Sequence, residues 1–507
     1  MTTENKPDNS EKSLADTTAS VQPQNAVTPT PTANTPKPRR VFSAQERWLT
    51  FISVGIGVLF DRLVINNLFR EEIPFFSGIF WLLYLAAFYL FFWQRLKHNK
   101  VLWVICGFSA AICVWNLIFD SQTPYGWISF LVIPVVLMSH AVFFGGDFKL
   151  KNVSGFFVEW LAGWFIKPLS AIPLFFGALG SATKDEKKST TKKVLAALAI
   201  SSAMLFIIIP LLTSADKVFS YYLSVLIGDF NIANTISHTF AIVITSILFY
   251  SFLWNIGFAP KAATKNIVKK RVEFDVLISC IVLGSVILTY LLFCVVQFTY
   301  LFAGAGLPGD MTYSEYAREG FAQIIVICGI NLIIFGVFLH YAKKKPVILI
   351  MLISLLLLTA VILISGFVRL NLYINAYGLT WLRLLSLWFI IYLAMVIILS
   401  AVRMAKEKLP LIGVCALLLL GWYTALGYAN PDALVLKYNL AANNYSVDWL
   451  ENNREYLRYD ISDNGIIVLL ESGIDTEYFE HLVNPPHGNS LSSIRAKQMW
   501  NDHNLND

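Results

Sequence analysis

Charged side chains are scarce in this chain: Asp, Glu, Lys and Arg make up 14% of its 507 residues, whereas hydrophobic residues make up 56%. Soluble globular domains carry about 25% charged residues, so the composition excludes an ordinary soluble protein. Apolar runs of about 20 residues recur along the chain, and each is long enough to cross a bilayer. The sequence therefore predicts an all-α integral membrane protein.

The chain also lacks the usual signatures of metal, redox and nucleotide chemistry. Its six cysteines lie within apolar runs and form no CxxC pair, so they indicate neither a disulfide framework nor a zinc site. There is no Walker loop, dinucleotide fingerprint, HExxH or GxSxG motif. We therefore expect no metal, no cofactor and no assignable catalytic residue.

The formal net charge of +6 does not indicate a nucleic-acid partner. The basic residues lie in short loops between apolar runs, where Lys and Arg set the orientation of a membrane protein. Arg39, Arg40 and Arg47 precede the first apolar run and predict a cytoplasmic amino terminus. Membrane lipids are the expected partners.

The apolar runs predict about eleven transmembrane helices. They cover residues 48–66, 75–93, 101–119, 126–144, 194–213, 234–258, 276–303, 320–341, 346–368, 380–402 and 409–428. Residues 156–179 are apolar too, but both flanks are basic, and Glu159, Lys167, Pro168 and Pro173 would be costly in a lipid-facing span. We expect a re-entrant or interfacial segment there.

Composition divides the chain into three parts. Residues 1–43 are rich in Thr, Pro, Asn and Ser and predict a disordered cytoplasmic arm. Residues 44–428 form the polytopic helical membrane domain. Residues 429–507 hold five Lys or Arg against twelve Asp or Glu, and by the parity of the spans they form a small acidic extracytoplasmic helical tail with a loose end.

Polar residues within the predicted spans have ordinary structural explanations. His140 is expected to be a satisfied or interfacial histidine, and Asn116, Asn255, Gln297 and Asn331 to form hydrogen bonds between helices. No span carries Asp or Glu at mid-depth, which argues against a proton-coupled transporter.

The stretch from Arg369 to Arg383 is a polar, aromatic and basic interruption between two long apolar runs. Gly378 suits the positive-φ position that ends a helix, and Thr380 suits the cap of the next helix. The stretch therefore predicts a short turn at a membrane face.

Arg369, Tyr373 and Tyr377 repeat every four residues, so they share one face if the preceding helix continues. Arg383 falls in the first turn of the next span. Arg and Tyr are common at membrane interfaces, which is one explanation for this cluster. The other is an anion site, because guanidinium groups and helix N-termini bind carboxylate or phosphate.

Three blocks of sequence carry a resemblance. They are Phe367-Val-Arg369-Leu-Asn-Leu-Tyr373 with Tyr377-Gly-Leu-Thr380 and Arg383; Gln297-Phe-Thr-Tyr300 with Tyr313-Ser-Glu-Tyr316-Ala-Arg318-Glu-Gly320-Phe321; and Asn430-Pro431-Asp432 with Asn439. Over residues 280–460 the chain resembles a bacterial multi-spanning family known only as a domain of unknown function, the 4153/4173 type. The resemblance implies a bacterial cytoplasmic (inner) membrane location and no particular reaction.

Three classes of function remain open, and the third is a sensor or scaffold that meets other proteins. The first is a membrane protein, acting in transport or sensing, that binds an anionic lipid head group, envelope precursor or small anion in an outward-facing pocket. Its residues would be Tyr316, Arg318, Arg369, Tyr373, Tyr377 and Arg383. The second is a membrane-embedded glycosyl- or phosphotransferase that acts on a lipid-linked substrate, with Glu71 and Glu72 in a first outer loop that also carries Asp61.

Overall fold

The computed structural model of the chain describes residues 41–95, 99–146, 150, 153–181, 208, 212, 215–219, 221, 232–259, 273–297, 321–343, 345–443 and 445–504. These residues are predominantly α-helical, and none of them belongs to a β-strand. All contacts reported below lie within residues 42–507. Most of the predicted arm, residues 1–43, lies outside the described residues, and so does most of the predicted span at 194–213.

The described helices, in chain order, are α1 Ala44–Leu63, α2 Ile73–Phe91, α3 Lys100–Ile118, α4 Pro124–Gly145, α5 Val153–Phe165, α6 Lys167–Ser170, α7 Ile172–Ser181, α8 Ile232–Gly257, α9 Val276–Gln297, α10 Phe321–Tyr341, α11 Pro346–Tyr377, α12 Trp381–Ala405, α13 Leu411–Tyr428, α14 Pro431–Ala442, α15 Val447–Asn452, α16 Asp463–Glu471 and α17 Leu491–Asn504.

Ten of these described helices are long and apolar enough to cross a membrane: α1 to α4 and α8 to α13. They coincide with ten of the eleven predicted spans. The largest difference in length is α11, which continues to Tyr377 instead of ending near residue 368. The predicted all-α membrane fold is therefore confirmed.

Residues 153–181, which include the stretch 156–179 where the sequence predicts a re-entrant or interfacial segment, form the helices α5, α6 and α7. Pro168 is the second residue of α6 and Pro173 is the second residue of α7, so each proline lies in the first turn of a new helical segment. The side chain of Ser251 on α8 spans the interruption, because its Oγ donates to Lys167 O at 2.9 Å and accepts from Ala171 N at 2.9 Å. Backbone groups released by the break are thus satisfied by a neighbouring helix.

Two charged residues of this segment neutralise each other. Lys167 Nζ lies 2.7 Å from Glu159 Oε2. Because the two charges form an ion pair, neither is presented alone to the membrane interior.

The spans pack into two groups that α13 joins. Helices α1 to α4, α7 and α8 enclose one apolar core, and α9 to α12 enclose two more. Trp388 on α12 and Trp422 on α13 stack at 4.5 Å, and each indole donates to the other's backbone carbonyl. On the opposite side of α13, Trp115 of α3 donates to Gly427 O at 2.8 Å. Both groups are therefore fixed to one connecting helix.

Polar residues inside the spans are paired between helices. Tyr89 Oη lies 2.7 Å from His140 Nε2, Ser129 Oγ donates to Asn116 Oδ1 at 2.8 Å, and Asn331 Nδ2 donates to Thr359 Oγ1 at 3.1 Å. Asn255 donates to Lys167 O at the helix break. These contacts confirm the structural roles predicted for His140, Asn116, Asn255 and Asn331; the Gln297 side chain is outside the described residues.

Asp61 departs from the sequence interpretation. It was expected in an outer loop, but it lies in the last turn of α1 and is fully buried. Its Oδ1 is 2.7 Å from Nδ1 of His238 on α8. This partner is 177 residues away in sequence, so no sequence pattern indicated that the Asp61 side chain is paired inside the helix bundle.

The residues after α13 form a compact helical unit with its own core. Leu436, Leu450, Leu457 and Leu469 are buried at its centre. The end of the chain, where the sequence predicts a loose segment, contains α17, in which Trp500 joins this core and Ala496 is fully buried. One indole and a few small side chains anchor a helix whose overall composition is polar.

Candidate functional site

The unit formed by α14 to α17 contacts the membrane domain at the loop between α3 and α4. Oδ2 of Asp120 in that loop accepts from Asp463 N at 2.9 Å, and Asp120 N donates to Asn464 Oδ1 at 3.3 Å. Ser462 caps α16 at this point by accepting from Gly465 N. The start of α16 is therefore fixed against the end of the membrane domain.

A second set of contacts joins the same unit to the turn between α11 and α12. Leu379 N donates to Asn439 Oδ1 at 2.8 Å, and Asn439 Nδ2 donates to Leu379 O at 2.7 Å. Gly378, directly before Leu379, has the predicted positive φ, 76°. Thr380 occupies the predicted N-cap position of α12, although its side chain makes no capping hydrogen bond.

Between these contacts lies a cavity of about 1350 Å³, here called the polar cavity. Its described lining combines carboxylates with aromatic rings. The carboxylates belong to Glu71, Asp120, Asp432, Asp460 and Asp463. The aromatic residues are Trp127, Tyr377, Trp381, Tyr438, Trp449, Tyr456 and Tyr459. His487 is the one basic side chain among the described lining residues.

Asp120 and Asp432 are held in surroundings that favour their neutral forms. Burial raises the pKa of Asp120 to about 6, with a further contribution from the negative charge of Asp463, and backbone amides offset part of this rise. Burial raises the pKa of Asp432 to about 7, and the negative charge of Asp120 adds to it. Both carboxyl groups therefore titrate close to neutral pH.

Two polar atoms of the cavity wall have no hydrogen-bond partner among the described residues. They are Oδ2 of Asp432 and Nε1 of Trp381, and both are inaccessible to solvent. Unpaired buried polar groups each cost about 1–3 kcal/mol, so such atoms are uncommon in a folded protein. Neither atom is at the cavity surface, because neither is accessible to solvent.

The described carboxylates do not form a metal centre. Among the described residues, no group of three or more His, Cys, Asp and Glu side chains is placed to hold a metal ion. The carboxylates are distributed around a wide cavity, which suits an organic guest larger than an ion.

Beside the polar cavity, the predicted convergence of Arg383 with two tyrosines is present. The Arg383 guanidinium lies 4.0 Å from the ring centroid of Tyr373 and 6.0 Å from that of Tyr377. Its Nη1 donates to Tyr377 O at 2.9 Å and to Gly378 O. Arg383 therefore caps the carbonyl end of α11, and of these three residues Tyr377 also lines the cavity.

The other residues of the predicted anion site are placed less closely. Arg369 lies about two turns before the end of α11 and is 6% exposed. Tyr316 and Arg318 lie outside the described residues.

Glu71 and Glu72, the predicted acidic pair, have different surroundings. Glu71 is exposed and lines the polar cavity, with its Oε2 3.9 Å from His487 Nε2. Both carboxylate oxygens of Glu72 accept from Asn489 Nδ2 at 2.8 Å. Glu72 therefore helps to fix the chain segment before α17, whereas Glu71 is accessible to a guest.

An apolar groove of about 430 Å³ lies in the membrane domain among α1, α2, α4, α8 and the break between α5 and α6. Helix α4 connects it with the polar cavity: Trp127 lines the cavity, and Pro134 and Met138 line the groove. These positions are spaced by seven and four residues, so they share one face of the helix. Trp127 and Pro134 are about 10 Å apart along the axis.

Sequence reasoning missed Asp120, Asp432 and Asp463 as cavity residues. Asp120 lies two residues after the end of α3, and Asp432 is the second residue of α14, shortly after the end of α13. Both span ends are predicted to face outward. The sequence signal that could have identified Asp120 and Asp432 was an acidic residue at a span boundary. These residues come together only when the last part of the chain folds. Asp432 and Asn439 did appear in the third family-like block.

Comparison with known proteins gives one match. The sequence model of a domain of unknown function, DUF4153, matches residues 106–471, well over half of the chain. That range contains Asp120, Asp432 and Asp463 and ends before His487 and α17. No curated protein and no solved structure gives a significant match.

Proposed function

This chain belongs to the family of the domain of unknown function DUF4153, and from that premise we propose that it is a multi-pass membrane protein that binds an amphiphilic molecule. The polar head group occupies the polar cavity, and the apolar chain occupies the groove. The protein acts on this guest in transport or sensing at the envelope.

The arrangement of the two spaces along α4 carries the proposal. A polar space at the end of the bundle and an apolar space at membrane depth lie on one helix face, which matches the two halves of a lipid. Phe130, Leu137 and Phe249 supply apolar walls, and burial of a hydrocarbon chain against them contributes about 0.8 kcal/mol per methylene.

The predicted anion site fits this proposal as one side of the head-group region. Tyr377 borders both the polar cavity and the Arg383 guanidinium. A phosphate within the head group can approach Arg383 from the cavity, since Arg pairs well with phosphate oxygens. This role for Arg383 stays a prediction, as do the roles of Tyr316, Arg318 and Arg369.

Filling the groove tests the proposal. Leu248 on α8 is half-buried and lines the groove, whereas Ile244 on the same helix is exposed on the outer surface. Leu248→Trp and Ile244→Trp add equal volume, so they form a matched pair. We expect Leu248→Trp to remove co-purifying amphiphile, measured by native mass spectrometry of the full chain, and Ile244→Trp to retain it. Equal retention by both variants would refute the proposal.

An enzymatic role is a second candidate because of one observation. Glu71 lines the same cavity as Asp120 and Asp432, and carboxyl groups that titrate near neutrality suit general acid and base catalysis. The double variant Glu71→Gln with Glu72→Gln would abolish turnover of a lipid-linked substrate. Full complementation of a deletion strain by this variant would exclude the enzymatic role.

A further inference from the structure

We propose that Asp61 and His238 form a proton-binding site inside the membrane domain, and that the proton bound there controls how firmly the apolar groove holds its guest. Neither residue lines the polar cavity. Proton binding by the pair stands apart from the proposed function, whereas its effect on the guest rests on that function.

Both residues lie within membrane helices. The helices α1 and α8, which carry Asp61 and His238, are among the described helices that are long and apolar enough to span a bilayer. Asp61 is fully buried, and its Oδ1 lies 2.7 Å from His238 Nδ1. Ionisable side chains are costly inside spans, so they are rare there and often belong to ion or proton pathways. The pair is thus a candidate for binding a proton.

Few other charges act on the pair. In the described part of the chain, Arg62 is the only further charged residue within ion-pair distance of Asp61: its Nε lies 3.9 Å from Asp61 Oδ2, and its side chain is 69% exposed, so water screens it. No Asp, Glu, Lys, Arg or His is present in α2 or α7, which also pack against α1. The remaining titratable or charged groups on α1, α8 and the helices that pack against them are Glu46 and Arg47 of α1, Tyr84 and Tyr89 of α2, Tyr125 and His140 of α4, Lys167 of α6 and Tyr250 of α8. The charge of the pair is therefore set mainly by its own proton.

His238 gives the pair access to water. Its side chain is 19% exposed, whereas that of Asp61 is not exposed at all. Because Nδ1 faces the carboxylate, Nε2 is the ring nitrogen that can take a proton from water. When Nε2 gains that proton, the proton on Nδ1 lies between the imidazole and Asp61 Oδ1. The pair thereby gains one proton and changes from one negative charge to neutral.

Asp61 depends on this proton because its surroundings do little else to stabilise a negative charge. Its Oδ2 has no hydrogen-bond partner among the described residues. A buried carboxylate without a compensating charge is destabilising, whereas an imidazolium beside it supplies that charge. The protonated pair is therefore the form that best holds α1 against α8.

The contact between α1 and α8 connects the pair with the groove. About one turn before Asp61, a Cβ added at Gly57 would collide with Ser246 Oγ of α8, so the two helices are closely packed there. Phe60, next to Asp61, and Leu248 of α8 both line the groove. Loss of the proton should therefore loosen two helices that supply walls of the groove, and the groove then releases its guest.

A double-mutant cycle of Asp61→Asn and His238→Gln in the lipid-free full chain tests proton binding. Melting temperatures are measured at about pH 5 and about pH 8, the range in which an imidazole ordinarily changes charge. We expect the two substitutions to be coupled by a few degrees at the lower pH and uncoupled at the higher pH. Titration of the polar cavity is common to all four members of the cycle and cancels. If Asp61→Asn does not fold, His238→Gln alone should melt below the parent at the lower pH and equally at the higher pH, and exposed His340→Gln should match the parent at both.

Lipid retention tests the effect on the groove. The full chain is placed in nanodiscs of phosphatidylglycerol and phosphatidylethanolamine and transferred to detergent at each pH, and the retained lipid is quantified by native mass spectrometry. At the higher pH, Asp61→Asn should retain about tenfold more lipid than the parent, since binding linked to one proton changes by about tenfold per pH unit. At the lower pH the two should retain equal amounts, and His340→Gln should behave as the parent does at both.

The outcomes separate this inference from the proposed function. Equal coupling at both pH values would overturn the proton site and leave a purely structural pair. Coupling that depends on pH, together with equal retention by Asp61→Asn and the parent at the higher pH, would overturn the control of the groove. Retention of no lipid by the parent would overturn the proposed function, and the melting temperatures would still decide whether the pair binds a proton.

Discussion

Asn439 pairs with both backbone groups of Leu379: it accepts from Leu379 N at 2.8 Å and donates to Leu379 O at 2.7 Å. One amide side chain thereby fixes α14 to the turn between two membrane helices. Gly378 is part of the same arrangement, since a Cβ there would lie 2.9 Å from Asn439 Oδ1. This link sets one wall of the polar cavity.

Replacing Asn439 should therefore loosen the cavity. Asn439→Ala leaves the Leu379 amide and carbonyl without partners in a buried position, at a cost of about 1–3 kcal/mol for each group. Asn439→Asp keeps the acceptor and loses the donor, so its effect should be smaller. The measurement is the melting temperature of the purified chain, with exposed Asn452→Ala as the control. Equal melting temperatures for all three would contradict the assignment.

Removing the guanidinium of Arg383 should destabilise the end of α11. Arg383→Ala loses the hydrogen bond to Tyr377 O and the stacking on Tyr373, and we expect a loss of about 1–3 kcal/mol. Arg383→Lys keeps the charge but not the planar fork, so it should restore only part of the stability. Lys437→Ala, an exposed charge on α14, is the control. A melting temperature unaffected by Arg383→Ala would show that the cap is unimportant.

The stability of the lipid-free chain should decrease as pH rises through the titration of Asp432. Its folded-state pKa is raised from 3.8 to about 7, so folding favours the protonated form. The ionised form carries a penalty that is absent below pH 4 and complete above pH 7. Asp432→Asn removes the penalty, so it should melt a few degrees higher than the parent at pH 8 and equally at pH 4.

The same variant shows whether the Asp432 carboxylate stabilises the fold. A carboxylate that stabilises the fold would make Asp432→Asn less stable than the parent at pH 8, where the carboxylate is ionised. Greater stability of Asp432→Asn at pH 8 is expected only where the folded chain holds an unfavourable charge.

The interruption between α5 and α7 should depend on Ser251. Ser251→Ala leaves Lys167 O and Ala171 N without the hydroxyl that bridges them, and we expect a loss of about 1–3 kcal/mol. Ser285→Ala is a matched control, because Ser285 is exposed on α9 and bonds only within its own helix. Comparable melting temperatures for the two variants would mean that the break is held by other contacts.

Much of the fold could be predicted because it follows from local sequence. Span length follows from hydrophobic runs, and the turn after Tyr377 follows from the positive φ available to Gly378. The edge-to-face contact of Tyr373 with Tyr377 follows from their spacing of four residues. These features need no knowledge of distant partners.

The remaining features depend on contacts between residues far apart in sequence. Asp61 is buried because α8 supplies His238, and the polar end of the chain becomes a packed helix because Trp500 reaches a core made by earlier leucines. The polar cavity requires Asp463 to meet Asp120 across 343 residues. Sequence patterns alone do not show which distant residues come into contact.

The dependence of the cavity on α14 and α16 has a consequence for biosynthesis. A nascent chain that has just completed α13 possesses Asp120 and Trp381 but has not yet produced Asp432 or Tyr456. The site is therefore assembled after translation of the last membrane helix, when the carboxyl-terminal unit folds back onto finished spans. A polypeptide released early would insert into the bilayer and lack the recognition site.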